Sequence, residues 1–369
     1  MPDGGEERRY RYQSVFAHAS FQFCGHIDEY LIANTRHLTL LRVQTRFGNG
    51  GHRLERYEEG RLVEERKLCS SKNIFLYYFL WAFHHNRELW RCAHRQKGFT
   101  IALFTHPVAC FGMGIQRFFG RIRYAFWPWD WFVPNRLPIR IYASVVRHYI
   151  KRVDFAYALT QGIADKVGGN VSVVMLGMKR LPCADVDRSG SRRILVVGQL
   201  RQGQGVEAVL DFVAKHPEYS LALMGAAAHG FEKVIEDRVC AGHISERVYF
   251  PNRFVSQDEL SEVAATCFCG LALYDTAPDN FTHFADPGKV KSYIEMGLPV
   301  VMTRISEIVP YVEQFKAGEV IDSLADISDA VVRIASNSSV YADGVRNFAA
   351  HFEPNAYYGV RLGLSMNLE

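Results

Sequence analysis

Short runs of β-forming residues alternate with helical patterns through the second half of the sequence. Strands are predicted at 193–198, 219–225, 247–250, 267–274, 299–303 and 318–321, and helices at 206–216, 230–241, 257–266, 288–296 and 306–316. Strands separated by single helices are typical of βαβ units, in which the strands lie parallel. The sequence therefore predicts an α/β domain with a doubly wound parallel sheet, which binds ligands beyond the carboxyl ends of its strands.

The first half repeats this alternation with more interruptions. Strands are predicted near 14–19, 38–43, 99–105, 121–126, 155–160 and 171–175, and helices near 27–34, 73–95, 139–153 and 162–167. Glycines at 48–51, followed by Glu58-Glu59-Gly60, indicate an inserted hairpin. The polar stretch 182–191, with Pro, Gly and Ser, is typical of an interdomain linker. We therefore expect two doubly wound, Rossmann-like domains, 1–185 and 190–345, with C-terminal helices in 346–369 returning to the first.

The positive charge of the chain is concentrated in the first half. Of 43 Lys+Arg and 39 Asp+Glu residues, 1–185 holds 27 and 15, a net charge of +12. The remainder then holds 43−27=16 and 39−15=24, a net charge of −8. A basic half favours nucleic acid, an anionic membrane surface or a phosphorylated substrate as partner. Nucleic acid is the least favoured, because no helix-turn-helix, zinc-finger or RNP signature accompanies the charge.

Three features of the sequence favour a cytoplasmic protein. The eight cysteines form no Cys-x-x-Cys pair and no cluster at zinc spacing, so we interpret them as small buried side chains in a reducing compartment. The polar segment 1–9 has no signal-peptide core behind it. The longest apolar run, 74–83, is shorter than the about 20 residues that cross a bilayer.

The segment 286–301, Asp-Pro-Gly-Lys-Val-Lys-Ser-Tyr-Ile-Glu-Met-Gly-Leu-Pro-Val-Val, indicates a phosphate site. It places Lys289 at a helix start, where the cation and the helix dipole both favour an anion. Residues 287–301 resemble the donor-binding signature P-x-K-φ-x-E-Y-φ-A-x-G-φ-P-V-V of GT-B glycosyltransferases that use nucleotide-diphosphate sugars. The resemblance implies a donor-binding domain, 190–345, and an acceptor-binding domain, 1–185, that enclose a cleft.

The same resemblance assigns roles in donor binding. Lys289 would neutralise the diphosphate leaving group together with Arg201, because Gln199 and Gln204 replace the arginine and lysine that the family has in this turn. Ser292 stands where the family usually binds the ribose with glutamate, a departure shared with glucuronosyltransferases of xanthan-type assembly. The other donor-site residues implied are Gly198, Gly225, Asn252, Arg253, Phe254, Asn280, His283, Gly288 and Tyr293. Taken alone, Arg201 equally suits a surface βα turn, and His283 a solvent-facing loop.

Inverting transfer needs a base that takes the proton of the acceptor hydroxyl, whereas retaining members of this fold manage without one, and the residues do not distinguish the two outcomes. Three residues of the first half suit the position of such a base at the carboxyl end of a strand. Asp130 lies among aromatic residues, which would raise its pKa. His106 ends the strand predicted at 99–105, and Asp28 opens the first helix. Each also has a structural interpretation. Neighbouring backbone amides could hold the Asp130 carboxylate, and His106 could be a buried histidine in a turn. Asp28 could be a carboxylate in the first turn of a helix, where it complements the helix dipole.

Basic and aromatic residues occur together in the first half. They include Arg117, Phe118, Phe119, Arg121, Arg123, Trp127, Trp129, Trp131, Arg136 and Arg140, and the helix 73–95 adds Phe75, Tyr78, Phe79, Trp81, Phe83 and Trp90. Arginine beside tryptophan and phenylalanine is typical of proteins that rest on anionic lipid. We therefore expect a peripheral protein on the inner face of the membrane that uses a lipid-linked saccharide acceptor.

The sequence thus favours a sugar transferase of bacterial surface-polysaccharide assembly, of the hexosyl- or glucuronosyltransferase type, with a UDP-sugar as donor. We expect no cofactor and no metal, because this fold generally uses side-chain cations and helix dipoles on the diphosphate. Two alternatives keep the fold. One is a nucleotide-sugar epimerase or hydrolase, and the other is a non-catalytic partner subunit, which the losses at Gln199, Gln204 and Ser292 would favour.

Overall fold

The computed structural model describes residues 10–20, 26–43, 51–95, 98–119, 121–132, 134, 136–188, 190–277 and 280–363. The chain divides into two compact units, Met1–Gly177 with Pro354–Glu369, and Met178–Glu353. It therefore leaves the first unit before the predicted linker at 182–191 and returns to it at Pro354, after the predicted 346. The segment 1–9, the glycines at 48–50, Gly120, and the side chains of Arg117, Phe118 and Phe119 lie outside the described part of the chain.

The first unit contains, within the described residues, an eight-stranded sheet. Its strands are β1 (Tyr12–Ser20), β2 (Thr35–Val43), β3 (His52–Glu58), β4 (Arg61–Leu68), β5 (Thr100–Phe104), β6 (Ile122–Phe126), β7 (Phe155–Ala158) and β8 (Ser172–Val173), in the spatial order β4-β3-β2-β1-β5-β6-β7-β8. Six of them are parallel, whereas β3 and β4 form an antiparallel hairpin at the edge. The hairpin turns at Glu59 and Gly60, which both have positive φ, as a two-residue turn requires.

Helices connect and cover this sheet. They are α1 (Ile27–Asn34), α2 (Ile74–Arg95), α3 (Met113–Phe119), α4 (Leu137–Ile150) and α5 (Gln161–Val167), and a 3-10 turn at Pro107–Cys110 precedes α3. The C-terminal helix α13 (Pro354–Arg361) belongs to the same unit: the hydroxyl of Tyr358 accepts a hydrogen bond from Gly177 N at 2.6 Å, and that of Tyr357 from Met175 N at 3.0 Å. This confirms the predicted return of a C-terminal helix. The short α3 was not predicted.

The second unit is a doubly wound parallel sheet. Its strands are β9 (Arg193–Val197), β10 (Ser220–Met224), β11 (Val248–Tyr249), β12 (Cys269–Ala272), β13 (Val300–Thr303) and β14 (Gly318–Ile321), in the order β11-β10-β9-β12-β13-β14. The helices are α6 (Val206–Lys215), α7 (Phe231–Ala241), α8 (Gln257–Ala265), α9 (Gly288–Glu295), α10 (Val309–Phe315), α11 (Ile327–Ser336) and α12 (Ser338–His351). Every strand pair in this sheet is parallel, as the alternating pattern predicts.

The strands of the second unit are buried because helices cover the sheet. Ile194, Leu221 and Leu223 are fully buried in one core with residues of α6 and α11, such as Val209 and Val331. Strands of this kind consist of continuous apolar runs rather than alternating ones. Among the described residues, no helix is long and apolar enough to cross a membrane.

Candidate functional site

The strand order of the second unit defines where a ligand can bind. The chain runs outward from β9 through β10 to β11, and then returns to place β12 on the other side of β9. In doubly wound sheets ligands bind beyond the carboxyl ends of the strands at such a reversal. The turn after β9, 198–205, and the segment after β12, which begins at Leu273, therefore flank the expected site.

Two glycines let the backbone and a lysine approach closely at this point. A Cβ atom on Gly225 would lie 2.0 Å from the carbonyl oxygen of Gly198, and one on Gly198 would lie 2.9 Å from Cε of Lys289. Gly198 also has a φ of 103°, a backbone conformation that residues other than glycine rarely adopt. The structure thus brings Gly198, Gly225 and Lys289 together, in the arrangement that the sequence motif implies.

Lys289 lies over this turn in a half-buried position. Its Nζ donates a hydrogen bond to Oε1 of Gln204 at 2.9 Å and lies 5.9 Å from the centroid of the Tyr274 ring. Burial, with a contribution from the charge of Arg201, lowers the pKa of Lys289 to about 8. The ammonium group is therefore held by neutral groups and is still protonated at neutral pH.

Arg201 is the second cation at this end of the sheet. It is exposed on the turn after β9, and its positive charge acts on Lys289. Within the described residues, no carboxylate lies within ion-pair distance of either cation. Two like charges with no counter-charge within ion-pair distance disfavour each other, so the arrangement favours binding of an anion.

The helix α9 carries the remaining residues of the motif. Gly288 is exposed at its first position, and Ser292 is half-buried one turn after Lys289, on the same face of the helix. Tyr293 has a different place, because its side chain is fully buried: the hydroxyl accepts from Val197 N at 2.8 Å and donates to Leu271 O at 2.9 Å. Tyr293 therefore fixes α9 against β9 and β12 and lies in the core, not at the surface of the site.

The other lysine of the motif has a structural place. Nζ of Lys291 lies 2.5 Å from Oδ2 of Asp286 and 4.9 Å from the ring centroid of Phe352, and both members of the pair are buried. A buried lysine requires such a counter-charge. Lys289, in contrast, has no carboxylate within ion-pair distance among the described residues. Lys291 therefore has a structural role, and Lys289 is the lysine of the motif that can bind an anion.

The segment before α9 is held by its own polar side chains. Oδ1 of Asn280 accepts hydrogen bonds from N and Oγ1 of Thr282, and its Nδ2 donates to Asp275 O at 2.7 Å. Nε2 of His283 lies 3.1 Å from Ala277 O, to which it donates. The side chain of Asn280 and Nε2 of His283 therefore stabilise this segment through hydrogen bonds within it.

The three residues after β11 differ in what they offer. Asn252, which has a positive φ, accepts a hydrogen bond from Ala227 N at 2.9 Å and so ties this loop to the one after β10. Arg253 makes a bidentate ion pair with Glu259, with both distances 2.8 Å. Phe254 is almost fully exposed. Of the three, only the Phe254 side chain is free to stack on a planar ligand.

In the first unit, His106 follows β5 and lies in an aromatic cluster. Its ring centroid is 4.7 Å from that of Trp81, 5.9 Å from that of Tyr142 and 6.2 Å from that of Tyr78. Nδ1 accepts from Val108 N at 3.2 Å, and burial lowers the pKa of His106 to about 4. Because Nδ1 is the acceptor, Nε2 carries the proton of the neutral ring. As it stands, His106 is a hydrogen-bond donor rather than a base.

Asp130 follows β6, near the same cluster. The residue is exposed at the surface, but the loss of water around its carboxylate raises its pKa. The pKa of Tyr142 is raised by burial and, to a smaller extent, by the charge of Asp130. A carboxylate with a raised pKa at the carboxyl end of a strand has the properties of a general base.

Asp28 is part of an ion-pair network. Its Oδ2 accepts from Arg42 at 3.0 Å, and Arg42 also donates to Glu55 at 2.9 Å. Glu55 is in turn 2.6 Å from Arg53. The Asp28 carboxylate is therefore engaged in an ion pair within the protein, and Asp130 remains the strongest candidate of the three.

His18 was not singled out from the sequence. It lies near the carboxyl end of β1, buried, with its ring centroid 4.7 Å from that of Trp81. Neither of its ring nitrogens has a hydrogen-bond partner in the described structure. Burial, and then the nearby His85, lowers its pKa well below the usual value. The only signal in the sequence is a histidine inside an apolar strand, which also fits a core position.

The described residues contain no group of three or more histidine, cysteine, aspartate or glutamate side chains that could bind a metal.

Comparison with known proteins agrees with this geometry. Residues 245–358 match the family of glucosyltransferase 3-like C-terminal domains. No curated protein matches the sequence. This family match covers the C-terminal part of the chain, and the solved structures that resemble the chain are similar to it in fold.

Three of these structures cover nearly the whole chain. A sucrose-phosphate synthase from Thermosynechococcus elongatus has a TM-score of 0.63 and 13% identity, over 94% of this chain and 96% of that one. HepE from Anabaena, in complex with UDP, has a TM-score of 0.61 and 15% identity, over 92% and 96%. The lipopolysaccharide outer core galactosyltransferase WaaB has a TM-score of 0.60 and 15% identity, over 94% and 97%. The chain therefore has the GT-B fold, which confirms the fold class and the family resemblance predicted from the sequence.

Proposed function

We propose that the protein transfers a sugar from a UDP-sugar to a hydroxyl group of a lipid-linked or oligosaccharide acceptor in bacterial surface-polysaccharide assembly. One observation carries the proposal: Lys289 and Arg201 share the carboxyl end of the second sheet, and within the described residues no carboxylate neutralises them. A pair of cations over a glycine turn is suited to a diphosphate.

In the proposed reaction an oxygen of the acceptor attacks the anomeric carbon while the bond from that carbon to the diphosphate oxygen breaks. UDP leaves with the electron pair, and its developing charge is stabilised by Lys289 and Arg201. The proton of the acceptor hydroxyl passes to a base, for which Asp130 is the candidate. The cations take the role that a divalent metal has in other transferases, so the proposed activity needs no metal or other cofactor.

The choice of UDP draws on the structural relatives. HepE was solved with UDP and also with UDP-glucose, and this supports a UDP-sugar for a chain of the same fold. Ser292, which is neutral and short where glutamate is usual, supports a donor pocket that differs from the common one. A hexosyl or glucuronosyl donor fits both points.

The proposal for the acceptor rests on the positive charge of the first half of the chain. The first half has the net charge of +12 derived above, which favours an anionic, phosphate-containing acceptor and the inner face of an anionic membrane. A lipid-linked saccharide with a diphosphate head satisfies both. The proposed place of action is therefore cytoplasmic and peripheral to the membrane.

The donor assignment is tested by thermal shift with UDP, UDP-glucose, UDP-glucuronic acid and GDP-mannose. Lys289→Ala is compared with Lys215→Ala, because Lys215 is an exposed lysine at the far end of α6. We expect a UDP-containing ligand to raise the melting temperature of the wild type and of Lys215→Ala, and to lose most of this effect in Lys289→Ala. Equal stabilisation of all three proteins would exclude Lys289 from the donor site.

A second measurement separates transfer from the alternatives. UDP release is followed with and without a lipid-linked acceptor. Release that depends on the acceptor supports transfer, and release without it supports hydrolysis. No release, together with no thermal shift, supports a non-catalytic partner subunit.

A further inference from the structure

Three helices of the first unit present apolar side chains that are largely exposed in the described structure. We use the name apolar face for six of these residues: Phe75, Phe79 and Phe83 on α2, Ile115 on α3, and Leu137 and Ile141 on α4. Their exposed fractions range from 48% for Phe83 to 84% for Phe75. Large apolar side chains scattered singly over a surface need no explanation, but stripes of them on helices that contact a common segment indicate an interaction site.

The members of the apolar face share one side of each helix. Phe75, Phe79 and Phe83 are four residues apart on α2, as are Leu137 and Ile141 on α4, so each group forms a stripe. Another side of α2 packs in the core, because Trp81, His85 and Leu89 are buried. The exposed stripe is therefore not part of the folding core of this unit.

A direct contact joins α2 to α3, and His106 links α2 to α4. Nε2 of Gln116 on α3 donates to Oδ1 of Asn86 on α2 at 2.8 Å. The His106 ring lies between Tyr78 of α2 and Tyr142 of α4, with centroid distances of 6.2 Å and 5.9 Å. Contacts on both sides of the 3-10 turn thus make α2, α3 and α4 neighbours, and their stripes lie on adjoining elements.

The charge around the apolar face is positive. Between Glu65 and Asp154 the sequence has fifteen lysines and arginines but only two acidic residues, Glu88 and Asp130. Glu88 is buried and is bound by three arginines, at 3.2 Å from Arg66, 2.7 Å from Arg87 and 3.0 Å from Arg91. Lys72, Arg136 and Arg140 are exposed beside the apolar stripes, at the start of α2 and of α4.

We infer that the apolar face, with these cations, is the docking surface for an anionic lipid bilayer. Exposed phenylalanines enter the acyl boundary while flanking lysines and arginines bind acidic headgroups, which is how a helix lies in a membrane interface without crossing it. A second copy of the chain is disfavoured as the occupant, because a symmetric contact through this face would bring the same cations against each other. The inference rests on the proposed function only for the reason to be at a membrane, a lipid-linked acceptor.

The test is flotation of the full-length protein with vesicles of phosphatidylcholine alone or mixed with phosphatidylglycerol. We expect binding to the mixed vesicles only. Phe75→Ser/Phe79→Ser should weaken it about tenfold or more, because the apolar contact is lost. Arg136→Glu/Arg140→Glu should weaken it by at least about fivefold per arginine. Val360→Ser, which changes an exposed valine of the same unit outside the apolar face, should leave it unchanged.

Two results would overturn the inference. One is absence of wild-type binding to the mixed vesicles. The other is equal vesicle binding by the wild type and Phe75→Ser/Phe79→Ser. If light scattering then showed a dimeric wild type and a monomeric double variant, the apolar face would be assigned to contact with a second copy. The thermal shift with UDP is measured on the same variants and should not change. Loss of donor binding alone would therefore count against the proposed function, and loss of vesicle binding alone against the docking surface.

Discussion

Oε1 of Gln204 accepts a hydrogen bond from Nζ of Lys289 at 2.9 Å. Position 204 is one of two at which this turn departs from the arginine and lysine that resembling GT-B enzymes have. The glutamine orients the ammonium group without neutralising it. The departure thus leaves the charge of Lys289 available to an anion, and this argues against a degenerate site.

We predict that Gln204→Glu weakens UDP binding by about tenfold or more, because its carboxylate would pair with Lys289 and repel the diphosphate. Gln204→Ala should have a smaller effect, since it removes the orientation but not the charge. Isothermal titration with UDP measures both. Binding by Gln204→Glu that equals the wild type would show that the diphosphate does not meet Lys289.

UDP binding should depend on pH through Lys289. Its pKa of about 8 in the free protein lies below the ordinary value of 10.5, and only the protonated form attracts the diphosphate. Affinity should therefore be full below about pH 7 and fall as the pH rises through about 8. Titrations across this range measure the effect, and Lys289→Arg, which stays charged, should remove the dependence.

The stability of the free protein should follow the opposite trend. A lysine whose folded pKa is lowered binds fewer protons in the folded state than in the unfolded state between pH 8 and 10.5. The contribution of Lys289 to stability therefore rises with pH in that window, while UDP affinity falls. Denaturant unfolding at several pH values, compared with Lys289→Ala, isolates this contribution; a difference that is constant with pH would contradict it.

The sequence predicts the second unit well because its information is local. Most of its strands are largely apolar runs and its helices follow a glycine or a polar turn, so both can be recognised without knowledge of the packing. The last helices are less distinct, and α11 was not predicted. In the first unit α3 escaped prediction, because seven residues carry too little periodicity and its place depends on Gln116 binding to Asn86 across the fold.

The site is only partly predictable for a related reason. Gly198, Gly225 and Lys289 come together because strand order alone determines where their segments meet. The positions of the Arg253 and Tyr293 side chains depend on specific neighbours. Arg253 pairs with Glu259, and the Tyr293 hydroxyl bonds the backbone of β9 and β12. Such pairings arise from packing, which the sequence pattern does not describe.

Gly225→Ala should destabilise the protein by about 2–3 kcal/mol, because the new Cβ would meet the carbonyl oxygen of Gly198, and backbone must move. The same movement would displace the turn under Lys289 and weaken UDP binding. Gly114→Ala is the matched control: the glycine lies in α3 with open space around it, so alanine should be neutral or stabilising by up to about 1 kcal/mol. Chemical denaturation measures both, and equal stability of the two variants would contradict the close approach.

The two aspartates proposed for the acceptor side should separate in their effects. Asp130→Asn should lower transfer by about 100-fold or more, because an amide cannot take the proton of the acceptor hydroxyl. It should not lower the melting temperature, because the neutral amide avoids the desolvation that raises the pKa of Asp130. It should leave the UDP shift unchanged, since Asp130 lies in the other unit from Lys289.

Asp28→Asn should instead cost about 1–3 kcal/mol of stability, because Arg42 loses one of its two carboxylate partners. Its rate of transfer, measured where the protein is fully folded, should stay within a few-fold of the wild type. Both variants are assayed by acceptor-dependent UDP release and by thermal unfolding. The reverse outcome, a stable but inactive Asp28→Asn and an active Asp130→Asn, would move the base to the start of α1. The ion pair with Arg42 would then hold the Asp28 carboxylate in place for catalysis as well as for folding.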